Sequence, residues 1–144
     1  LPHNITLPMD GPAHRWITRK GACPAHAGQP VIIPGSMGAP SYLLVGRGDP
    51  SLLCSASHGA GRARSRFTMS NHTAQDEDAL GLRGVDCITL REERRIEEAP
   101  AAYKPIGPVI ACQVEAGVVD VVARHFAGDA WPHNVRPAVV CRSP

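Results

Sequence analysis

Scattered β-branched runs closed by glycine or proline predict an α+β fold, a mixed sheet with helices, for this chain. A few breaker-free stretches between those runs, and the lack of a regular strand–helix–strand alternation, point the same way. Its 144 residues are the size of one domain, and 43% apolar content is enough for a core. Only 4% of residues are aromatic, which disfavours a base-stacking platform, and 19% charge is too little for a coiled coil.

The elements follow in chain order. Residues 1–22 are rich in turn formers and polar groups, with Pro2, Pro8, Gly11, Pro12 and Gly21. Val31-Ile32-Ile33 is a β-branched run closed by Pro34-Gly35, which predicts a buried strand entering a tight turn. Ser41 to Val45 predicts a second strand, and Ser51 to Ser55 a third. The segment Pro34-Gly35-Ser36-Met37-Gly38 is then a glycine-bearing loop at strand ends, where backbone can approach a ligand. No breaker follows Gly61 for nine residues, so a helix over 60–70 is expected. Residues 71–84 read as loop or short helix, and 85–90 alternate as a strand. Ile106 to Ala116 predicts a helix despite Pro108, and Val118 to Ala123 a strand. From Gly128 to Pro144 no period is evident, and no internal repeat is found.

The net charge of +2 identifies no partner, but its distribution is uneven. Arg47, Arg62, Arg64 and Arg66 fall in one stretch, and Glu92, Glu93, Glu97 and Glu98 in another. Such local basicity fits phosphate recognition, though a solvated face is commoner. The five cysteines form no CxxC pair, which supports neither a zinc ribbon nor a disulfide scaffold. Asn4-Ile5-Thr6 and Asn71-His72-Thr73 match the glycosylation sequon without a signal peptide before them. No apolar run approaches the ~18 residues of a membrane span, so a cytoplasmic, reduced protein is expected. The chain starts at Leu1, not Met, and is expected to be a piece of something larger or a shortened relative of it.

Chemistry concentrates in Ser57-His58-Gly59-Ala60-Gly61-Arg62. A neutral imidazole can attack phosphorus, and small residues expose backbone amides to the charge that develops. Arg62 and Arg66, four apart, would share a helix face. Spacing alone leaves His58 open between nucleophile, metal ligand and ordinary turn histidine. Arg19-Lys20-Gly21 is a second basic spot. The loop at 34–38 could cradle phosphate but lacks the lysine and hydroxyl ending of a P-loop. Ser36 and Ser57 lie near glycines outside any GxSxG elbow, so a serine-hydrolase reading is weak.

Taken in order, these segments resemble the C-terminal part of the RtcB-type RNA-splicing ligases. The resemblance rests on His3-Asn4, Arg19-Lys20-Gly21-Ala22, the 31–38 run with Ser41-Tyr42, His58 to Arg62 with Ser65-Arg66, and Glu98-Ala99-Pro100 with Ala102-Tyr103-Lys104. It implies a GTP- and manganese-dependent ligase that joins RNA 3′-phosphate (or 2′,3′-cyclic phosphate) and 5′-hydroxyl ends through a histidinyl-GMP intermediate. By that resemblance His58 is the nucleophile and His3 a manganese ligand. Arg19, Lys20, Arg62 and Arg66 match RNA or phosphate contacts. Ser36, Gly38, Ser41, Ala60, Gly61 and Tyr103 match positions around the guanosine nucleotide. Partners would be RNA ends, such as tRNA halves, and GTP, with no membrane.

Thr18 stands where the family normally has histidine. The family's remaining manganese ligands lie upstream of the matched segments, so a missing upstream half is a candidate partner. Arg142 is a candidate stand-in for the family's C-terminal lysine that contacts guanine, across an atypical, unaligned stretch from residue 128, with degeneration or truncation of that end as the alternative. Two outcomes are therefore expected. Either the chain is part of the ligase and inactive alone, or it is a non-catalytic nucleotide- or RNA-binding remnant.

Overall fold

The α+β class holds. The computed structural model describes residues 4–9, 14–71, 76–83, 85 and 92–125. Where a mixed sheet was expected, the described strands form three antiparallel pieces. β1 (Asn4–Pro8) and β2 (Trp16–Lys20) make a hairpin. β3 (Ala22–Pro24) pairs with β6 (Ser55–Ser57). β4 (Pro30–Ile33), β5 (Ser41–Gly46) and β7 (Val119–His125) form the third piece, in the order β4-β5-β7.

The turn-rich first 22 residues thus hold two strands and the start of a third. Prolines are tolerated there because Pro8 closes its strand, where a missing N–H costs little. In β2 the side chains alternate, burying Ile17 and Arg19 and exposing Trp16, Thr18 and Lys20.

The strands expected at 31–33 and 41–45 are present as β4 and β5, and the one at 118–123 as β7. Val31, Ile33, Leu44 and Val119 bury one face of that sheet against Ile106 and Ile110 of helix α4 (Ile106–Glu115). Pro108 sits in the first turn of α4, where its absent N–H would have had no helical partner. A second cluster joins Met69, Leu80, Leu82, Ile96, Ala99 and Ala102. It draws on three short helices: α1 (Arg66–Ser70), α2 (Glu77–Leu80) and α3 (Glu92–Glu97).

Two expectations are corrected. The helix over 60–70 is only α1, because Ser65 is its N-cap, its hydroxyl accepting from the Thr68 amide at 3.0 Å. Before the cap, Gly61 turns left-handed at φ +70° and Arg62 bridges Tyr103, so neither belongs to a helix. The strand at 51–55 is instead a 3₁₀ turn, Pro50–Leu52, capped by Asp49. Leu53 and Cys54 then take positive φ (54° and 47°), and extended chain resumes only at Ser55. The strand expected at 85–90 falls largely on residues 86–90, outside the described residues, as does the tail from 128. Among the described residues no helix is long and apolar enough to cross a membrane.

Candidate functional site

His58 follows the last residue of β6. Its backbone N–H donates to the Gly21 carbonyl at 3.3 Å, so the two glycine-bearing motifs meet at the histidine. The preceding residue is fixed from the other side: the Ser57 amide donates to Gln113 Oε1 at 2.7 Å, and Gln113 Nε2 donates to Val109 O at 3.2 Å. Helix α4 thereby sets where β6 ends. Ser57 Oγ donates to Gly59 O at 2.8 Å and holds the turn beyond.

His58 lines an open cleft of about 820 Å³, and its Nε2 is buried there. Of the residues expected at the site, Lys20, Ser36, Ala60, Gly61, Arg62, Arg66 and Tyr103 also line it. Gly21, Gly59 and Gly61 expose their backbone to open space, since a Cβ on any of them would meet nothing within 4 Å. Four cationic side chains (Lys20, Arg62, Arg66, Lys104) face a single carboxylate, Glu98. That imbalance suits an anionic ligand. No ion pair engages Lys20 or Lys104 among the described residues.

Arg62 and Arg66 converge, but through Glu98 and not along a helix. Glu98 Oε1 accepts from Arg62 Nη1 at 3.3 Å and from Arg66 Nη2 at 3.2 Å, and Glu98 Oε2 accepts from the Tyr103 hydroxyl. Arg62 is further held by its Nε on Arg64 O (3.0 Å) and its Nη2 on Glu97 O (2.6 Å). Its guanidinium lies 5.0 Å from the centre of the Tyr103 ring. Burial alone would push the Glu98 carboxyl up. The Tyr103 hydrogen bond and the two arginines outweigh it and hold the group below its ordinary range. Tyr103 is pushed up, by burial first and then by the Glu98 carboxylate.

Three expected residues are not at the lining. Ser41 stands behind the 34–40 loop, its Oγ accepting from the Gly35 amide at 3.1 Å. Gly38 packs toward Val85. Arg19 is buried at 5% exposure, its Nε donating to Ser55 Oγ (2.8 Å) and its Nη2 to Leu53 O (2.9 Å). His3 and Arg142 lie outside the described residues. Glu98, Lys104 and Gln113 were given no role from the sequence. Glu98 and Lys104 sit inside quoted motifs, so proximity to Tyr103 was the available signal, whereas nothing local marks Gln113.

No group of three or more His, Cys, Asp or Glu stands close enough to hold a metal ion among the described residues. These residues alone do not fit a manganese centre.

An α+β unit that gathers a histidine, cations and bare glycine backbone in one cleft has a lining suited to an anion. Comparison with known proteins is more specific. The family model for the tRNA-splicing ligase RtcB matches residues 1–127. The RNA-splicing ligase RtcB of Escherichia coli K12 is 41% identical over 107 residues, covering 74% of this chain and 25% of that protein. The RNA-splicing ligase RtcB of Mycobacterium tuberculosis is 37% identical over 145 aligned positions, 86% of this chain and 33% of that protein. The tRNA-splicing ligase RtcB of Nanoarchaeum equitans is 38% identical over 146, with shares of 86% and 31%. This chain belongs to the RtcB family, and it spans a quarter to a third of the length of these relatives.

Proposed function

We propose that this chain carries the nucleotide-holding, guanylylated part of a cytoplasmic, GTP-dependent ligase of RNA ends. What carries the reading is the placement of His58 beside glycine backbone and four cations, in a chain of the RtcB family.

In the first step a ring nitrogen of His58 attacks the α-phosphorus of GTP. The bond to the bridging oxygen breaks, pyrophosphate leaves with the electron pair, and GMP remains on the ring as a phosphoramidate. A 3′-phosphate oxygen of one RNA end then takes the GMP and frees His58; a 2′,3′-cyclic end is first opened by water. Finally the 5′-hydroxyl of a second end attacks that 3′-phosphorus, GMP departs, and the hydroxyl proton passes to solvent. Lys20 and Lys104 offset triphosphate charge, and the open glycine backbone along 59–61 receives the non-bridging oxygens. Ser36 and Tyr103 border the guanosine. Manganese, which the family resemblance implies, needs ligands beyond the described residues.

A chimera in which this chain replaces the matching region of the E. coli relative tests the reading. With GTP labelled at the α-phosphate, covalent label is expected on the chimera and is expected to vanish in His58→Ala. A folded chimera that takes no label would sink the ligase reading. It would favour the second one, a non-catalytic nucleotide- or RNA-binding remnant.

A further inference from the structure

One carboxylate oxygen in the cleft gathers both arginines. Glu98 Oε1 lies 3.3 Å from Arg62 Nη1, 3.3 Å from Arg66 Nε and 3.2 Å from Arg66 Nη2. Three N–H donors from two arginines therefore converge on a single carboxylate oxygen, as they would on a phosphate oxygen. All three contacts are longer than the ~2.7–2.9 Å typical of well-formed charge-assisted bonds.

The two arginines are not equally committed. Arg62 has its other donors on the Arg64 and Glu97 carbonyls, and its side chain is 23% exposed. It is part of the wall. Arg66 is 65% exposed, and its guanidinium meets the Glu98 carboxylate and, at 3.9 Å, that of Glu97. Arg66 can therefore exchange one anion for another without uncovering a buried group. Glu98 can also let go at low cost, since its Oε2 keeps the Tyr103 hydroxyl.

We propose that Glu98 is a built-in competitor for the cleft's arginines, a carboxylate that substrate phosphate must displace from Arg66. The inference rests on the proposed function and on the phosphate contact that the family resemblance implies for Arg66. Glu98 holds Arg66 in place and partly neutralises it. When a terminal RNA 3′-phosphate arrives, its nearly double negative charge takes over the Arg66 fork, while Glu98 stays with Arg62 and Tyr103. Apparent affinity is lowered by the fraction of sites in which Glu98 occupies the fork. The same competition speeds release, because the carboxylate re-forms its contacts as the phosphate leaves. Glu98 thus sets affinity and residence time without touching the reacting atoms.

The test uses the full chain, a fluorescent RNA oligonucleotide ending in a 3′-phosphate, and anisotropy at fixed salt. Glu98→Gln keeps the shape and the Tyr103 contact but removes the charge, and should bind about two- to fivefold tighter, the scale of an exposed ion pair. Its dissociation should slow by a similar factor. Glu98→Asp keeps the charge but withdraws it from the arginines, and should fall between wild type and Gln. A contact that only supports the structure predicts the reverse, weaker binding with a lower Tm in both variants. Weaker or unchanged binding by folded Glu98→Gln, with Arg66→Ala still losing affinity, overturns the competitor and leaves the phosphate reading standing. If Arg66→Ala binds as well as wild type, the phosphate reading of Arg66 itself has failed, and the competitor with it.

Discussion

Arg19 shows how far a motif can mislead about a single side chain. Within the Arg-Lys-Gly segment it was expected to meet phosphate, yet it is the one buried charged residue among those described. Its fork ties Ser55 Oγ and the Leu53 carbonyl, and Leu53 and Cys54 hold positive φ immediately before β6. The guanidinium braces a backbone conformation that disfavours non-glycine residues, at the base of the strand that ends at His58. Arg19→Met should cost about 1–3 kcal/mol, since two part-buried acceptors lose a charged donor. Thermal or denaturant melting measures the loss. The salt dependence of RNA binding should be unchanged in that variant and reduced in Lys20→Ala, because only Lys20 reaches the cleft. A stable Arg19→Met with a flattened salt dependence would return Arg19 to phosphate contact. The signal for burial was in the sequence: Ile17 and Arg19 share a strand face by simple alternation. It went unread because the turn formers of residues 1–22 hid the strand.

At the scale of elements, β-branched runs and their closing turns were readable, and short polar segments were not. β4, β5, α4 and β7 were expected from period and punctuation and are present. Failure came where side-chain caps decide the boundary. Ser65 starts α1, and Asp49 converts an expected strand into a 3₁₀ turn by accepting from the Ser51 amide at 2.8 Å. The β4–β5 loop was expected to bring backbone close to a ligand, and what the Gly35 backbone approaches in the structure is the loop itself. A Cβ on Gly35 would lie 2.3 Å from the Pro40 carbonyl oxygen and 2.6 Å from that of Ala39. Both are backbone atoms and cannot rotate away. Gly35→Ala should therefore lower stability by about 1–3 kcal/mol, as overpacking does. It should also weaken GMP binding by shifting Ser36 and Met37 at the lining. Calorimetry on the variant reads both effects, and an unchanged melting temperature would mean that the loop has room the distances deny.

For the molecule as a whole, the site is assembled from parts far apart in sequence, so order could reveal it only through resemblance. The cleft takes Lys20 at the end of β2 and Gly21 beyond it, the 34–37 loop, the 58–62 segment and residues 98–106, which meet because two separate apolar clusters fix them. Hydrophobic pattern gives each cluster but not the distance between them, and Gln113, 56 residues from Ser57, is the kind of link it cannot supply. The same reasoning separates binding from ligation. Binding needs the cations and glycine backbone that the cleft already holds. Ligation, if it depends on manganese, needs ligands that the described residues do not bring together. The chain alone should then retain GMP or phosphate binding, with affinity indifferent to added Mn²⁺. It should also fail to join a 3′-phosphate RNA to a 5′-hydroxyl RNA at any Mn²⁺ concentration. Calorimetric titration with and without the metal reads the first outcome, and a gel assay with end-labelled RNA the second. Metal-dependent ligation by the isolated chain would mean that residues outside those described, His3 among them, complete a metal site from this sequence alone.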